Sequence, residues 1–487
     1  MVNFRVVGNA HIRFIMRKTK IVATLGPASN SPEKIRELIR AGVDAFRLNM
    51  SHGTLDEHLD TIKKIRRAGR ENGREPAIIQ DLCGPKVRVG AMEDGAVELQ
   101  AGHEVVVTTE QVTGTSKMFS TQYDKLPQDV RPHDRILLDD GTIALEATRI
   151  EGNRIFCKVL NGGLLKNHKG MNLPGIKLST PSVTRKDMDD LRAGLEAGVD
   201  FAALSFVRHP DDLKGVRQAI KKAGKTTQVI AKIEKPEALE HLDAIIQAAD
   251  GLMVARGDLG VEMNIADVPV IQKNIILRAN ERDKYVITAT QMLESMTHNP
   301  RPTRAEASDV ANAIIDGTDA VMLSGETAVG EFPVEAVKMM NEIARQTESY
   351  LDSNRPGWNW MRINPRHPVQ DAIGHAASKI VDDLKISIVV AFTATGGTAL
   401  FLSKGRPWAP IVAFTKTAES YRRMRLFWGV EPVLVSQLNN SADLRASAQE
   451  YVKRNRLAPT GRRILLILGT NFGRVGSTDA LEIATLE

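Results

Sequence analysis

Short apolar, β-branched segments alternate with helical patterns over most of this 487-residue chain, and this alternation is its strongest fold constraint. Such alternation favours parallel βαβ units. Eight strand candidates fit the pattern, which is the number that closes a (β/α)8 barrel. They are Lys20–Leu25, Ala45–Leu48, Ala77–Gln80, Phe201–Ser205, Val229–Ile233, Gly251–Ala255, Tyr285–Ala289 and Ala320–Leu323.

Helix boundary signals support the barrel. Ser31 followed by Pro32 predicts a capped helix start, and Gly42 predicts its end. Thr303 and Glu306 have the spacing of a capping box, and Gly317 follows that helix.

The pattern changes twice along the chain. Between residues 85 and 180 it becomes short alternating strands with a hairpin turn at Asp140-Gly141. From residue 352 a second α/β pattern begins, with strand candidates Ile386–Phe392, Ile411–Phe414, Pro432–Val435 and Arg463–Leu468. We therefore predict a TIM barrel from 16–84 and 181–351, an inserted small β-barrel lid domain at 85–180, and a C-terminal α/β regulatory domain at 352–487. Residues 1–15 would be an N-terminal extension.

Composition excludes several classes of protein. An apolar content of 42% with 25% charged residues is typical of a globular protein, and the formal net charge is +6. Aromatic-interleaved basic patches for nucleic acid are absent. Two cysteines, Cys83 and Cys157, argue against a disulfide framework and favour a reducing compartment. With no apolar run long enough to span a membrane, we expect a cytoplasmic protein.

A lysine and a glutamate lie two residues apart in one apolar strand candidate. Because strand side chains alternate between faces, Lys232 and Glu234 share a face. Buried charges are costly unless they are paired or bound to metal. Arg256 and Asp258 follow the next strand, so one cation and two carboxylates beside a lysine predict a divalent-metal site.

Charged or hydroxyl groups follow six of the predicted strands, at the end where TIM barrels place their active sites. Each residue alone has an ordinary structural explanation, but their concentration at one edge favours a site. They are Arg47, Asn49, Ser51, His52, Asp81, Lys86, Arg88, Lys232, Glu234, Arg256, Asp258, Thr290 and Glu326.

From Met16 to its last residues the chain resembles the pyruvate kinase family. The resemblance is carried by R-L-N-M-S-H-G, A-K-I-E, A-R-G-D-L-G-V-E, T-A-T-Q-M-L-E-S-M, N-P-R-P-T-R-A-E and V-M-L-S-G-E-T-A, in that order. It implies transfer of the phosphoryl group of phosphoenolpyruvate to ADP, giving pyruvate and ATP in the last step of glycolysis. It also implies a homotetramer.

The resemblance assigns roles that suit this chemistry, because phosphoryl transfer depends on positioning and charge neutralisation. Glu234 and Asp258 would hold Mg²⁺ or Mn²⁺, which prefer oxygen ligands. Lys232 would stabilise the transferring phosphoryl group and the enolate, and Arg47 would hold the phosphate. The backbone amides of Gly257 and Asp258 would receive the substrate carboxylate.

Further contacts are implied for the substrate and the nucleotide. Thr290 would contact the substrate near the carbon that is protonated. Lys169, in the inserted domain, would reach ADP when that domain closes, although a solvated lid lysine is the simpler interpretation of its local sequence. The complete nucleotide set would be Asn49, Ser51, His52, Arg88 and Lys169.

One departure from the family pattern concerns potassium. Many members hold K⁺ with groups matching Asn49, Ser51 and Asp81 and with a threonine at the position of Leu82, and have a glutamate where Lys86 stands. A lysine ammonium would supply an internal positive charge, so we predict that K⁺ is not required. The alternative is that Lys86 is a hinge lysine facing solvent.

The C-terminal domain carries T-A-T-G-G-T between a strand and a helix, and its amides and hydroxyls would form a phosphate cradle. In the family the matching loop binds an allosteric sugar phosphate, and AMP is a further candidate effector. A plain helix cap is the competing interpretation. The loop residues are Thr393, Thr395, Gly396, Gly397 and Thr398.

Two other functions compete. A barrel lyase or aldolase acting on a 2-oxo acid would also use a metal-bound carboxylate pair and an enolate, but it would not need Arg88, Lys169 or the inserted domain. A non-catalytic sensor would not need the strand-end set of Arg47, Lys232 and Thr290.

Overall fold

A computed structural model describes residues 17–176, 179–354, 367–436, 440–469, 476 and 478–487. The predicted extension at 1–15 lies outside the described residues. Eight parallel strands form a closed barrel in sequential order, which confirms the predicted TIM barrel. The strands are Lys20–Thr24, Ala45–Asn49, Ala77–Leu82, Phe201–Leu204, Gln228–Ile233, Gly251–Ala255, Tyr285–Ala289 and Ala320–Leu323.

Helices cover the outside of the barrel, and the predicted boundary signals are confirmed. The Ser31 side chain accepts a hydrogen bond from the Lys34 amide, and Thr303 and Glu306 form a capping box. The barrel helices are Pro32–Ala41, Leu55–Glu71, Arg185–Ala197, Lys214–Lys222, Pro236–Glu240, Leu242–Ala248, Arg256–Glu262, Val268–Asn280, Arg304–Ile315, Gly325–Ala328 and Pro333–Ser353. Short 3₁₀ turns add Pro210–Leu213, Ile265–Asp267 and Glu294–Thr297.

A mostly β domain, called the lid below, is inserted after the third barrel strand, as predicted. It has a six-stranded sheet and a separate two-stranded ladder. The predicted hairpin turn is present, with Asp139, Asp140 and Gly141 all at positive φ. The lid strands are Ala96–Leu99, Glu104–Thr108, Met118–Ser120, Arg135–Leu138, Ile143–Glu151, Arg154–Asn161, Gly163–Lys166 and Met171–Asn172, with helical turns Glu93–Gly95 and Leu126–Asp129.

The C-terminal domain is a five-stranded sheet with helices. Four strands are parallel, in the order Val430–Leu434, Ile411–Thr415, Val389–Phe392, Arg463–Gly469, and Thr478–Thr485 pairs antiparallel with the last. The sequence prediction missed this fifth strand and started the first strand three residues early, at Ile386. The helices are Pro368–Leu384, Gly397–Lys404, Ala418–Arg423, Met424–Leu426 and Ser441–Arg454.

The C-terminal domain packs against the amino-terminal end of the barrel strands. The inward-facing barrel side chains belong to the same apolar cluster as side chains of that domain, and the Tyr285 and Phe427 rings lie 5.9 Å apart across the junction. This end of the barrel is therefore closed. The carboxyl ends of the strands, which we call the rim, face the lid and are the end where a ligand can enter.

Candidate active site

Lys232 and Glu234 project inward at the rim. In the fifth barrel strand Ile230 belongs to the interior cluster, whereas Val229, Ala231 and Ile233 pack outward against the helices. The alternation of faces therefore continues inward through Lys232 to Glu234. The two side chains lie 2.8 Å apart, from Lys232 Nζ to Glu234 Oε1, which confirms that they share one face.

Three acceptors surround the Lys232 ammonium. Nζ donates to Ser205 Oγ at 2.8 Å, and it lies 2.8 Å from Glu234 Oε1 and 3.3 Å from Asp81 Oδ1. Burial alone lowers the pKa of Lys232, but the two carboxylates Asp81 and Glu234 outweigh it, and the pKa is raised above its ordinary value. Lys232 is therefore a fixed positive charge at the rim throughout the physiological pH range.

Glu234 is a buried carboxylate with spare acceptor capacity. Its Oε2 accepts a hydrogen bond from the Phe206 amide at 2.7 Å. Its Oε1 forms the 2.8 Å ion pair with Lys232 Nζ and has no other partner within the described part of the chain. Burial raises the pKa of Glu234, and the charge of Asp258 raises it further against the opposing effect of Lys232. The two carboxylates are thus close enough to repel each other.

Glu234 and Asp258 fit a divalent cation. A buried carboxylate oxygen whose one partner is Lys232, beside a second carboxylate, gives an all-oxygen donor set of the kind Mg²⁺ prefers. No group of three or more His, Cys, Asp and Glu side chains suited to a metal occurs among the described residues. Two carboxylates suit Mg²⁺, which usually keeps waters and also binds substrate oxygens.

Arg47 lies across the barrel interior from Lys232. Its Nε donates to Asp81 Oδ2 at 2.6 Å and its Nη1 to Thr24 Oγ1 at 3.2 Å, on the first strand. Asp81 therefore lies between two cations. Burial would raise the pKa of Asp81, but Lys232 and Arg47 outweigh burial, and the pKa is lowered.

Thr290 and Gly257 form one hydrogen-bonded unit. The Gly257 amide donates to Thr290 Oγ1 at 2.8 Å, and that hydroxyl donates to Ala289 O at 2.6 Å. Thr290 has a φ of +68°, an uncommon backbone conformation for a β-branched residue that recurs at functional sites. The helix Arg256–Glu262 begins here as expected, so Gly257 and Asp258 occupy its first turn.

Arg256 has a structural partner. Its Nη1 donates to both carboxylate oxygens of Asp309, at 2.8 and 2.6 Å, and its Nη2 donates to Thr290 O at 2.8 Å. The predicted grouping of a cation with two carboxylates is present at the rim, but Lys232 and Arg47 supply its positive charge. Arg256 instead stabilises the turn at Thr290 by donating hydrogen bonds to its backbone carbonyl groups.

Several of the predicted nucleotide-binding residues lie close enough for the positive charges among them to affect the pKa of His52. Burial lowers the pKa of His52, and Arg88, Lys86 and Arg47 lower it further. The Ser51 amide donates to Asn49 Oδ1 at 3.2 Å, which fixes the turn after the second strand. Three positive side chains therefore act on one edge of the rim, where an anionic ligand would be attracted.

Lys169 and Arg88 are held within the lid. Lys169 Nζ lies 2.8 Å from Asp139 Oδ1, and Arg88 Nη1 donates to His168 O at 3.1 Å. Arg88 also pairs with Gly170 through a backbone bridge. In this structure Lys169 is thus part of an ion pair within the lid.

Lys86 does not pair with Asp81. The ion-pair partners of Asp81 in the described chain are Arg47 and Lys232. The Lys86 side chain lies against Gly170 of the lid and lines a cleft together with Phe206 and Lys235. Leu82 is buried, and its carbonyl accepts the Ser205 hydroxyl. The charge of Lys86 lowers the pKa of His52. Its ammonium does not form an ion pair with Asp81, one of the groups that match the K⁺ ligands of the family.

Glu326 is a backbone-capping residue. Its side chain is fully buried and accepts hydrogen bonds from the amides of Leu293 at 3.0 Å and Ser324 at 2.6 Å. Both oxygens of this strand-end carboxylate are therefore used to hold the backbone of neighbouring loops.

The predicted effector loop connects a strand to the helix Gly397–Lys404. Thr393 Oγ1 accepts from the Gly396 amide at 3.0 Å, and Gly396 has a φ of +93°. Thr398 Oγ1 is hydrogen-bonded to Thr478 Oγ1 at 2.7 Å. The loop is also tied to the barrel, because Arg423 donates to both Thr395 O at 2.9 Å and Thr226 O at 2.6 Å.

Sequence reasoning missed three residues that organise the site. Ser205 holds Lys232, the Phe206 amide holds Glu234, and Thr24 holds Arg47. A serine or threonine at a strand end has no distinctive spacing, and a backbone amide has no sequence signature. The position of Ser205 as the last residue of the fourth predicted strand was the available signal.

Comparisons with known proteins agree with this architecture. Family models described as the pyruvate kinase barrel domain and the pyruvate kinase alpha/beta domain match residues 16–337 and 371–484. The chain belongs to the pyruvate kinase family. Members of this family are phosphotransferases, and the residues matched include the whole rim.

Similar proteins extend over nearly the whole chain. A pyruvate kinase from Geobacillus stearothermophilus is 45% identical over 96% of this chain and 80% of its own length. One from Clostridium perfringens is 42% identical over 96% of this chain and 99% of its own. A crystal structure of a pyruvate kinase from Cryptosporidium parvum matches with a TM-score of 0.88 and 35% identity, covering 97% of both chains.

Proposed function

We propose that this protein transfers the phosphoryl group of phosphoenolpyruvate to ADP, giving pyruvate and ATP, with Mg²⁺ or Mn²⁺ as cofactor. The observation that carries the proposal is the convergence of four side chains at the rim, linked at hydrogen-bond or ion-pair distance in the order Arg47, Asp81, Lys232, Glu234. Charge neutralisation and positioning are what phosphoryl transfer requires.

Two cations would act on the transferring phosphoryl group. Arg47 would donate charge-assisted hydrogen bonds to phosphate oxygens while Asp81 and Thr24 keep its guanidinium in place. Lys232, held in the same interior, would donate to an oxygen on which charge develops during transfer. Because both cations are already fixed by buried partners, little reorganisation is needed when the substrate binds.

The carboxylates Glu234 and Asp258 would hold the divalent cation. When bound, the ion would act as a Lewis acid that neutralises charge on substrate oxygens. Glu234 is prepared for this role by the Phe206 amide, which orients the carboxylate from its other oxygen. Burial and the charge of Asp258 raise the pKa of Glu234, and the ion's positive charge would offset both effects.

The enolpyruvate part of the substrate would lie toward the Gly257–Thr290 unit. The first-turn amides of Gly257 and Asp258 would receive the substrate carboxylate, the Gly257 amide by exchanging its present acceptor, Thr290 Oγ1. The Thr290 hydroxyl, which donates to Ala289 O, would contact the carbon that takes up a proton to form pyruvate.

ADP would bind at the lid side of the rim. Arg88 and Lys86 contribute positive potential at His52, and Asn49 and Ser51 form the adjoining turn. Lys169 would exchange its partner Asp139 for the nucleotide phosphates when the lid closes on them. Closure would exclude water and strengthen each contact.

We further propose that turnover does not require K⁺. Leu82 offers no side-chain oxygen, and the charge of Lys86 already acts at this edge of the rim. The test is turnover in K⁺ and Na⁺ buffers of equal ionic strength. Equal rates support the proposal, and strong activation by K⁺ contradicts it.

The reaction itself is tested by incubating the protein with phosphoenolpyruvate, ADP and Mg²⁺ and measuring pyruvate and ATP. ADP-dependent formation of both products in equal amounts is expected. Pyruvate without ADP consumption would favour the lyase interpretation, and no product would favour the non-catalytic sensor.

We propose that the effector loop binds the phosphate of a sugar phosphate or AMP. We also propose that the protein is a homotetramer located in the cytoplasm. Gly396 and Gly397 open the turn before a helix, and Arg423 connects that loop to the barrel. No helix in the described residues is long and apolar enough to cross a membrane. Activation profiles with these compounds and light scattering of the native protein would test both statements.

A further inference from the structure

Ser205 contacts the Lys232 ammonium directly from the end of the fourth barrel strand. It is buried, and its hydroxyl makes two hydrogen bonds at 2.8 Å, one accepted from Lys232 Nζ and one donated to Leu82 O, while Asp81 Oδ1 lies farther away at 3.4 Å. A serine hydroxyl has one proton and two acceptor lone pairs, whereas an ammonium has protons only. Ser205 therefore accepts from Lys232, and its own proton goes to Leu82 O, the nearer of its two acceptors.

Three groups accept from the Lys232 ammonium, and Ser205 is the one that carries no charge. The other two, Glu234 Oε1 and Asp81 Oδ1, are carboxylate oxygens at 2.8 and 3.3 Å. An ammonium has three protons. If Glu234 is engaged by a divalent cation, the partner that remains at short hydrogen-bond distance is Ser205, and one ammonium proton becomes available for a substrate oxygen.

The backbone around Ser205 is held rigidly. The next residue, Phe206, has a φ of +55° and donates its amide to Glu234 Oε2 at 2.7 Å. Gly84 packs against this turn, where a Cβ would lie 3.0 Å from Phe206 Cδ2 and 3.2 Å from Ser205 Cβ. Two consecutive residues therefore position both the lysine and the carboxylate, one through its hydroxyl and one through its amide.

We propose that Ser205 is a positioning residue for Lys232: its hydroxyl, oriented by Leu82 O, directs one ammonium proton and thereby aims another at the transferring phosphoryl group. The inference rests on the proposed function. Without the hydroxyl, the ammonium is held by carboxylates alone and shifts toward Asp81. A displacement of that kind costs rate without preventing substrate binding.

The test is Ser205→Ala in the full-length protein, with Ser403→Ala as the matched control. Ser403 is also fully buried, and its hydroxyl also donates to a backbone carbonyl, Trp428 O, at 2.8 Å, but in the C-terminal domain. We expect kcat to fall roughly 10- to 100-fold in Ser205→Ala, with KM for phosphoenolpyruvate and the Kd for Mn²⁺ within about threefold of wild type. Ser403→Ala should keep the wild-type kcat.

A second variant separates packing from hydrogen bonding. Ser205→Cys fills the same space, but its thiol is only a weak donor and acceptor. We expect kcat to fall at least about fivefold, and full activity in this variant would overturn the inference. A loss of Mn²⁺ affinity parallel to the loss of kcat would also overturn it, since Ser205 would then act through Glu234. An inactive wild-type protein would instead refute the proposed function.

Discussion

Two clusters of buried charge lie at opposite ends of the barrel, and they differ in whether their carboxylates can bind a further cation. The rim cluster gathers Lys232 and Arg47 with Asp81, Glu234 and Asp258. The second, which we call the anchor cluster, consists of Asp319, Lys404, Arg406 and Asn280 and joins the barrel to the C-terminal domain. Both are deeply buried, so both require compensation for desolvation.

The anchor cluster uses its carboxylate completely. Asp319 Oδ2 lies 2.5 Å from Lys404 Nζ and accepts the Val286 amide at 2.8 Å, while Oδ1 accepts from Arg406 Nη2 at 3.0 Å. Burial lowers the pKa of Lys404 to about 8, against the opposing effect of Asp319. Two cations share one carboxylate here, so this cluster cannot accept a further cation.

The rim cluster has the opposite balance. Its three carboxylates face two cations, and Glu234 Oε1 has no partner in the described chain besides Lys232 Nζ at 2.8 Å. The pKa of Lys232 is raised, whereas that of Lys404 is lowered. Buried charge is therefore not by itself a sign of function. Unused acceptor capacity with a deficit of positive charge is the more informative sign.

Removing the lysine from each cluster should give opposite phenotypes. Lys232→Met should lower kcat by at least about 10³-fold, because the developing charge loses its fixed cation. Lys404→Met should keep most of the activity but lose about 3–5 kcal/mol of stability, because it removes a partner of the buried Asp319. A coupled pyruvate assay and denaturant unfolding measure the two effects.

The two substitutions serve as controls for each other. Both exchange a buried lysine for a residue of similar length, so they differ in the environment of the removed charge. Near-normal turnover in Lys232→Met would refute its catalytic role. Equal loss of activity in both variants would show that the comparison between the clusters has no functional meaning.

The next largest effect is expected on metal binding. Glu234→Gln should weaken Mn²⁺ binding by about 10- to 100-fold, since a charged oxygen ligand is replaced by a neutral amide. The matched control is Glu348→Gln, a buried carboxylate that accepts the amides of Lys18 at 2.8 Å and Thr19 at 2.6 Å. Calorimetric titration with Mn²⁺ should show wild-type affinity in the control. Equal affinity in both variants would exclude Glu234 as a ligand.

A pH dependence follows from the raised pKa of Glu234. A divalent cation binds the ionised carboxylate, so Mn²⁺ affinity in wild type should fall, by up to about tenfold per pH unit, as pH drops below that pKa. This fall should begin at a higher pH than the ordinary 4.5 of a glutamate. Titrations from neutral to acidic pH check this, and the fall should be reduced in Glu234→Gln.

The same shift has a consequence for stability without metal. Because the folded pKa is raised, the native state binds more protons than the unfolded state between the two pKa values, and stability falls as pH rises through this window. Metal-free Glu234→Gln should therefore be at least as stable as wild type at neutral pH. A lower melting temperature in that variant at neutral pH would contradict the proposed repulsion.

Much of the barrel and its rim could be predicted from sequence, because the relevant signals are local. All eight barrel strands follow from apolar runs, and the shared face of Lys232 and Glu234 follows from their spacing of two. Charged residues in such runs are unusual enough to identify the rim. The fifth C-terminal strand, Thr478–Thr485, was missed because Ala, Asp and Glu, which are depleted in strands, make up half of its eight residues.

Contacts between distant segments could not be predicted. Asp81 was predicted as a strand-end group and as a remnant of the potassium site, but not as the partner of both Arg47 and Lys232. Arg256 pairs with Asp309, more than fifty residues away, which no local pattern indicates. Such pairings depend on barrel closure and on the path of each loop, and sequence periodicity encodes neither.

The smallest predicted effect concerns the lid. Asn172 Nδ2 donates to Glu262 Oε1 of the barrel at 3.0 Å, an oxygen that also accepts from Lys235 at 2.6 Å. Because Lys235 remains when Asn172 is replaced, Asn172→Ala should raise KM for ADP only about two- to threefold, a free-energy change of about 0.5 kcal/mol.

An equivalent contact within the lid provides the control for this prediction. Asn153 Nδ2 donates to Glu110 Oε1 at 2.8 Å, far from the barrel contact. Asn153→Ala should leave KM for ADP unchanged in the same steady-state assay. If the two variants behave alike, the Asn172–Glu262 contact does not control the lid. If Asn172→Ala instead lowers kcat tenfold, the lid contributes to the rim chemistry itself, and the functional difference between the two ends of the barrel then includes the inserted domain.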